Sequence, residues 1–388
     1  MTVVERWRHG LPPCEHGFVR FAAIGLLASL AACFSKPPRP DGDPDATQPD
    51  GTQVSGWLDG FAFRKRVTVT AGSTETLVNF PVGVSITDED LALHARSDGK
   101  DIVATAGDGE TLLASELAAY ADGNLELWVR LPELAEAGEL FLYYGGDSQL
   151  PTTATWDGPM FAGVWHLSDS GRARDSTALD HTLDAPGNEN PASFADGMFG
   201  SARRLDGNDK LDGGDPIDGS LDFGDGSFSY SLWVFQTELG PGGFDTPFYK
   251  GGGSNQEPGY CLLLGSANWT VKLTDNANHS ADPELGSALP FKDTWVHVAA
   301  VVDRTAGTVT AYANGVAKSA QSIATQQLGN VSTTHSILLG RGTEQPFKGQ
   351  LDELRIYKTA VTPAWLATEV RNGTDPGFLT FGPEELAP

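Results

Sequence analysis

The chain holds 388 residues, with 26 Lys and Arg against 51 Asp and Glu and a formal net charge of −25 at pH 7. So acidic a balance disfavours nucleic-acid binding, because phosphate recognition needs a basic footprint. Residues 33–388 exceed what one ordinary core supports, so two domains are expected.

Arg20, the apolar run 21–32 and the small residues ahead of Cys33 have the form of an export signal. The run is too short to span a bilayer, which takes ~20 residues. Leu30-Ala31-Ala32-Cys33 resembles the bacterial lipobox. That resemblance implies a signal peptide over 1–32, cleavage before Cys33 and a lipid on its thiol. Cleavage removes Cys14 and lipidation uses Cys33, which leaves Cys261 with no disulfide partner. In Tyr260-Cys261-Leu262-Leu263-Leu264 that thiol reads as a small buried hydrophobe. Residues 33–56 are dominated by Pro, Asp, Gly and Thr and predict a disordered tether. Phe34, where Asp would signal inner-membrane retention, points to an exported chain lipid-anchored at the outer membrane or cell surface.

Residues 57–150 read as short strands. Phe61, Phe63, Val67 and Val69 alternate with Arg64, Arg66, Thr68 and Thr70, and Val78–Ile86, Leu125–Val129 and Leu140–Tyr144 repeat the period of two. Leu112 to Tyr120 alone has the look of a short helix. Gly and Asp turns between alternating strands predict a β-sandwich. Phe63-Arg64-Lys65, Asn79-Phe80-Pro81-Val82, Leu127-Trp128-Val129-Arg130 and Tyr143-Tyr144-Gly145-Gly146 resemble domain of unknown function 2341, a family that brings no established chemistry with it.

Residues 160–382 are again strand-dense. Ser227 to Gln236 is apolar on both faces, which predicts a central strand covered on two sides. Asn314-Gly315 between alternating segments is a hairpin signal, because both turn positions need positive φ. Thr362-Pro363 opens a helix, with the hydroxyl as N-cap and Pro at the first helical position.

Gly163-Val164-Trp165-His166-Leu167, the 175–181 loop, Arg203-Arg204-Leu205-Asp206-Gly207, Phe228–Val234, Trp295–Ala299, Tyr312–Gly315 and Phe347–Tyr357 follow one another in a definite order. That ordered set resembles the laminin-G, concanavalin A-like jelly roll. The fold expected is therefore all-β, with two β-sandwich domains, the C-terminal one a concanavalin A-like jelly roll. One departure stands out: Asp175-Ser176-Thr177-Ala178-Leu179-Asp180 lacks the glycines that the family carries there.

Catalysis finds little support. Glycoside hydrolysis needs two carboxylates flanking the bond, and no Glu-x-Asp-x-x-Glu run is present. Asp352 and Glu353 are adjacent, so in a regular strand they point to opposite faces. There is no Gly-x-Ser-x-Gly elbow, and the eight histidines show no metal spacing. His297, two residues from Trp295, reads as a packed sandwich histidine. Asp206-Gly207-Asn208-Asp209 reads as turn chemistry.

The jelly-roll resemblance implies a structural calcium site at the sandwich rim, with Asp175 and Asp352 as ligands and Asp180 or Glu353 assisting. Sugar recognition needs exposed aromatics with amides or carboxylates beside them, and Trp269, Asn268 and Tyr249, with Phe244 and Phe248, are the candidates. The expected function is non-catalytic binding of a polysaccharide or cell-surface glycan by a membrane-anchored lipoprotein. The alternatives are a protein-binding adhesion or scaffold module and a glycoside hydrolase.

Overall fold

The period-two segments of the first half pair into two facing sheets. The computed structural model describes residues 56–388 except 74, 147–154, 170, 186–192, 239–243, 288–290 and 343–345. The proposed signal, Cys33 and most of the tether therefore lie outside the described residues. Leu77–Thr87, Asn124–Leu134 and Ser115–Ala121 make a three-stranded sheet, with Asn124–Leu134 in the centre. Phe63–Val69, Gly138–Tyr144 and Val103–Ala106 belong to a four-stranded sheet. Val67, Val69, Leu140 and Leu142 from one sheet and Val82, Val84, Leu127 and Val129 from the other fill a shared core.

Two local expectations differ from the structure. Ser115–Ala121 is a strand paired with Asn124–Leu134, not a helix. The short helix is Glu89–His94, started by Asp88, whose carboxylate accepts from the Leu91 amide.

The second half is a larger sandwich of an eight-stranded and a nine-stranded sheet. Phe228–Gln236 runs between Lys348–Tyr357 and Trp295–Asp303 in the first of these, buried along almost its whole length. Tyr230, Leu232, Val298 and Ile356 face Phe248, Leu262, Trp269 and Val271 across the interior. Thr308–Ala313 turns into Val316–Ser322 through Asn314 and Gly315, both at positive φ (51° and 73°). Helix Pro363–Thr374 begins at Thr362, whose hydroxyl accepts from the Trp365 amide.

The sandwiches share a core rather than meeting at a linker. The outer face of the eight-stranded sheet gives Ala299, Val301, Tyr312 and Tyr357 to the same cluster as Phe80, Trp128 and Trp365. Asn372 grips Gly83 with its amide, accepting from N at 2.7 Å and donating to O at 2.8 Å. The last strand, Leu379–Leu386, crosses back and becomes the edge partner of Phe63–Val69 in the first sandwich. Residues 54–388 form one compact unit.

Candidate functional site

Alternation along Asn268–Thr274 decides what this strand shows to water. Trp269, Val271 and Leu273 point into the sandwich core, while Asn268 and Thr270 face outward, half-buried, and Lys272 shares their side. Trp269 is fully buried and its indole nitrogen donates to Gln236 Oε1 at 3.2 Å. The ring expected to stack on a sugar is therefore a core residue. Tyr249 is also buried, its hydroxyl donating to Glu257 Oε2 at 3.2 Å and its ring edge-on to His335. Of the expected ligand contacts, Asn268 and Phe244 face a cavity, and Phe248 is a core residue.

That cavity is an open groove of about 820 Å³, within the ~300–1,000 Å³ range of small-molecule sites. Its floor is the outer face of the nine-stranded sheet, with Asn268, Thr270 and Lys272 beside Leu263 and Gly265 of Gly259–Gly265. Phe244 opens the next strand directly opposite Gly265. Its ring lies against that glycine, where a Cβ would come within 2.7 Å of the ring. Packed in this way, Phe244 is still 47% exposed.

The walls come from distant parts of the chain. Lys272 Nζ donates to Asn255 Oδ1 at 2.6 Å and fixes the 252–258 loop on one side. On the other, Gln321 of Val316–Ser322 holds Asp282 at both ends of its amide, and Ser319 Oγ donates to Glu284 O at 2.7 Å. Asp282 and Glu284 stand exposed on that wall. Among the described residues no partner holds the Asn268 amide, which leaves a planar donor and acceptor beside an aromatic face.

The two acids expected to bind calcium serve the backbone instead. Asp175 accepts from Val164 N, Thr177 N, Thr177 Oγ1 and His181 N, all within 3.1 Å. Four donors saturate its oxygens, so it does not fit a cation ligand. The loop it organises keeps a left-handed residue, Asp180 at φ 56°, a conformation that Asp tolerates in place of glycine. Asp352 Oδ2 accepts from the Met198 and Phe199 amides at 2.7 and 3.1 Å. Burial, then the neighbouring Glu353, pushes its carboxyl well above the usual range. Among the described residues no three His, Cys, Asp or Glu side chains are grouped for a metal.

Asp352 and Glu353 do not point to opposite faces. Glu353 has φ 50°, and the ladder to Phe228–Gln236 slips at this point. The bulge turns Asp352, Glu353 and Arg355 toward the first sandwich while Leu351 and Leu354 stay in the core. A buried seam results, in which Arg355 joins Glu353 at 2.9 Å to Glu369 at 2.8 Å. His297 lies here as a packed residue, 3.4 Å from Glu369 and edge-on to Trp233. Cys261 is fully buried, and burial pushes its thiol up to about 12, so it is unreactive.

Residues 206–367 match the family model of the concanavalin A-like lectin/glucanases superfamily, and the C-terminal half is a jelly roll of that type. No curated protein matches the chain. Among solved structures, the binding domain of Paraclostridial mosquitocidal protein 1 is 17% identical with a TM-score of 0.45, covering 55% of this chain and 52% of its own. The ligand-binding domain of botulinum neurotoxin serotype D, in complex with N-acetylneuraminic acid, is 13% identical with a TM-score of 0.43, covering 54% and 50%. Domain 4 of an extracellular arabinanase from Geobacillus stearothermophilus, in complex with arabinotriose, is 26% identical with a TM-score of 0.34, covering 47% and 81%. The chain thus spans about half the length of the two toxin domains it matches.

Proposed function

We propose that the groove over Asn268 binds a polysaccharide or cell-surface glycan without turning it over. The observation that carries the reading is the pairing of the exposed Phe244 ring with the unengaged Asn268 amide on one open floor. Sugar rings present apolar C–H faces to aromatics, and their hydroxyls suit amides, which accept and donate at once. The groove offers several polar groups besides Asn268 and its floor is sheet, so little ordering opposes binding. The lipobox resemblance at Leu30–Cys33 supports a lipid anchor on Cys33, so that tethered copies gain strength through multivalency.

A hydrolytic reading falls on Asp282 and Glu284, which stand at alternate positions on the wall. Asp282 is already bonded to Gln321, and both acids stand in water, whereas a glycosidase acid relies on burial to keep its proton. The test incubates the full chain with insoluble and soluble polysaccharides and follows both retention and new reducing ends. Retention without sugar release, weakened about tenfold or more in Phe244→Ala and Asn268→Ala, supports binding. Release that survives repurification makes the protein a hydrolase. No retention on any glycan removes the reading.

A further inference from the structure

We infer that the groove selects uncharged glycan chains and turns acidic ones away, an inference that rests on the glycan reading above. Recognition of a uronate or sialate carboxylate calls for Arg or Lys presented to the ligand. Among the described residues no arginine lines this groove, and Lys272 is its one cation. That ammonium is set back from the ligand: Lys272 is 8% exposed and donates to Asn255 Oδ1 at 2.6 Å. The exposed charges on the wall are instead the carboxylates of Asp282 and Glu284.

An acidic polymer lying on Asn268 and Phe244 would bring its own carboxylates alongside that wall. Like charges meeting in a concave site cost more than on open surface, because the low-dielectric walls focus the field. The whole chain adds to the repulsion with its net charge of −25. The remaining polar lining is hydroxyl and amide, Ser254, Ser266, Thr270 and Gln321 among it. Such groups discriminate by hydrogen bonding and not by charge, which suits a neutral polymer.

The experiment measures retention of the full chain on neutral polymers (a β-glucan, a xylan and an arabinan) and on acidic ones (polygalacturonate and hyaluronate). Each is run at low salt and at ~0.5 M salt, where exposed charges are screened. Asp282→Asn/Glu284→Gln removes the wall charges while keeping hydrogen-bonding groups. Asp122→Asn/Glu133→Gln removes two exposed charges from the first sandwich as a control for net charge. At low salt the acidic polymers should be held about tenfold more weakly than the best neutral one. That gap should narrow severalfold in salt and in the groove variant, and persist in the control. Equal retention of acidic and neutral polymers overturns the selectivity and leaves the glycan reading standing. A gap untouched by the groove variant, or narrowed as much by the control, overturns it too. Failure to retain any polymer overturns both.

Discussion

His166 Nδ1 lies 2.7 Å from Glu353 Oε1, with both side chains nearly closed off from water in the seam between the two sandwiches. The first sandwich completes this pair. Trp128 stacks on the His166 ring at 5.4 Å, and Glu116 reaches its other nitrogen at 3.5 Å. Arg355, which holds the far side of Glu353, lies over Trp128 and Trp156 at 4.5 and 5.1 Å. Cations sandwiched by aromatic faces and carboxylates are well compensated when desolvated. The seam therefore fixes the orientation of the sandwiches by chemistry as well as by packing.

Stability should fall at both ends of the pH scale. Burial opposes the charge on His166, but Glu353 and Glu116 outweigh it and raise the imidazole from 6.5 to about 10. A raised folded value means that its contribution is complete below 6.5 and is lost as pH climbs toward 10. Glu369 is the mirror case: burial opposes its charge too, but Arg355 and His297 prevail and lower it from 4.5 to about 2. Its contribution is complete above 4.5 and is lost as pH falls toward 2. Melting temperature against pH should show a plateau between those limits. His166→Gln should lower the plateau and flatten the alkaline limb; an unchanged alkaline limb removes His166 as its cause.

The C-terminal strand should be required by the N-terminal sandwich. Leu379–Leu386 covers the edge of Phe63–Val69, and Glu385 pairs with Arg64 at 2.7 Å. Glu384 accepts from the Tyr144 hydroxyl at 2.7 Å, and burial with that contact pushes the phenol far above its usual range. Ending the chain at Pro376 strips that edge of its ladder and takes Glu385 from Arg64, which keeps Tyr143 Oη and Gly56 O, so the first sandwich should lose stability and open at this edge. Limited proteolysis of the truncated chain should cut within residues 57–146 first. Protection equal to that of the full chain shows that the strand is dispensable.

Asp175→Asn should destabilise the protein by about 1–3 kcal/mol, because one oxygen of the four-donor acceptor becomes a donor facing amides. The loss should be the same in calcium and in chelator. A wild-type melting temperature that rises with calcium, in step with a loss of that rise in Asp175→Asn, returns the residue to a cation.

Much of this arrangement is legible in the sequence, and the parts that are not share a cause. Alternating strands, the Asn314-Gly315 hairpin and the Thr362 cap depend on neighbours in the chain, and local chemistry fixes them. The bulge at Glu353 is invisible because a left-handed residue in mid-strand is usually glycine. The return of Leu379–Leu386 pairs residues some three hundred positions apart, and Gly382 and Pro383 weaken its strand signal. The groove walls are also non-local, since Gln321 and Asp282 meet from 39 positions apart. Trp269 differs from these. Its burial is legible in the sequence, because Asn268, Thr270 and Lys272 alternate with Trp269, Val271 and Leu273, a period that puts the ring on the core side.

The same alternation supplies the sharpest test of where ligand binds. Trp269→Phe alters a core ring that packs against Phe291 at 4.9 Å and bonds Gln236, so it should cost stability, about 1–2 kcal/mol for the smaller ring and the lost hydrogen bond. Glycan retention per folded molecule should stay as it was. Asn268→Ala, one residue away on the opposite face, should leave the melting temperature within about a degree, because it removes no hydrogen bond or core contact, and a substitution outside such features is worth within ~0.5 kcal/mol. Its glycan affinity should nonetheless drop. Gly265→Ala provides a third arm: the added methyl meets the Phe244 ring at 2.7 Å and Asn268 O at 2.8 Å, so it displaces the stacking face without removing any polar group. Binding lost in Gly265→Ala and Asn268→Ala but kept in Trp269→Phe locates the ligand on the outer face of the sheet. Binding lost only in Trp269→Phe would place it elsewhere.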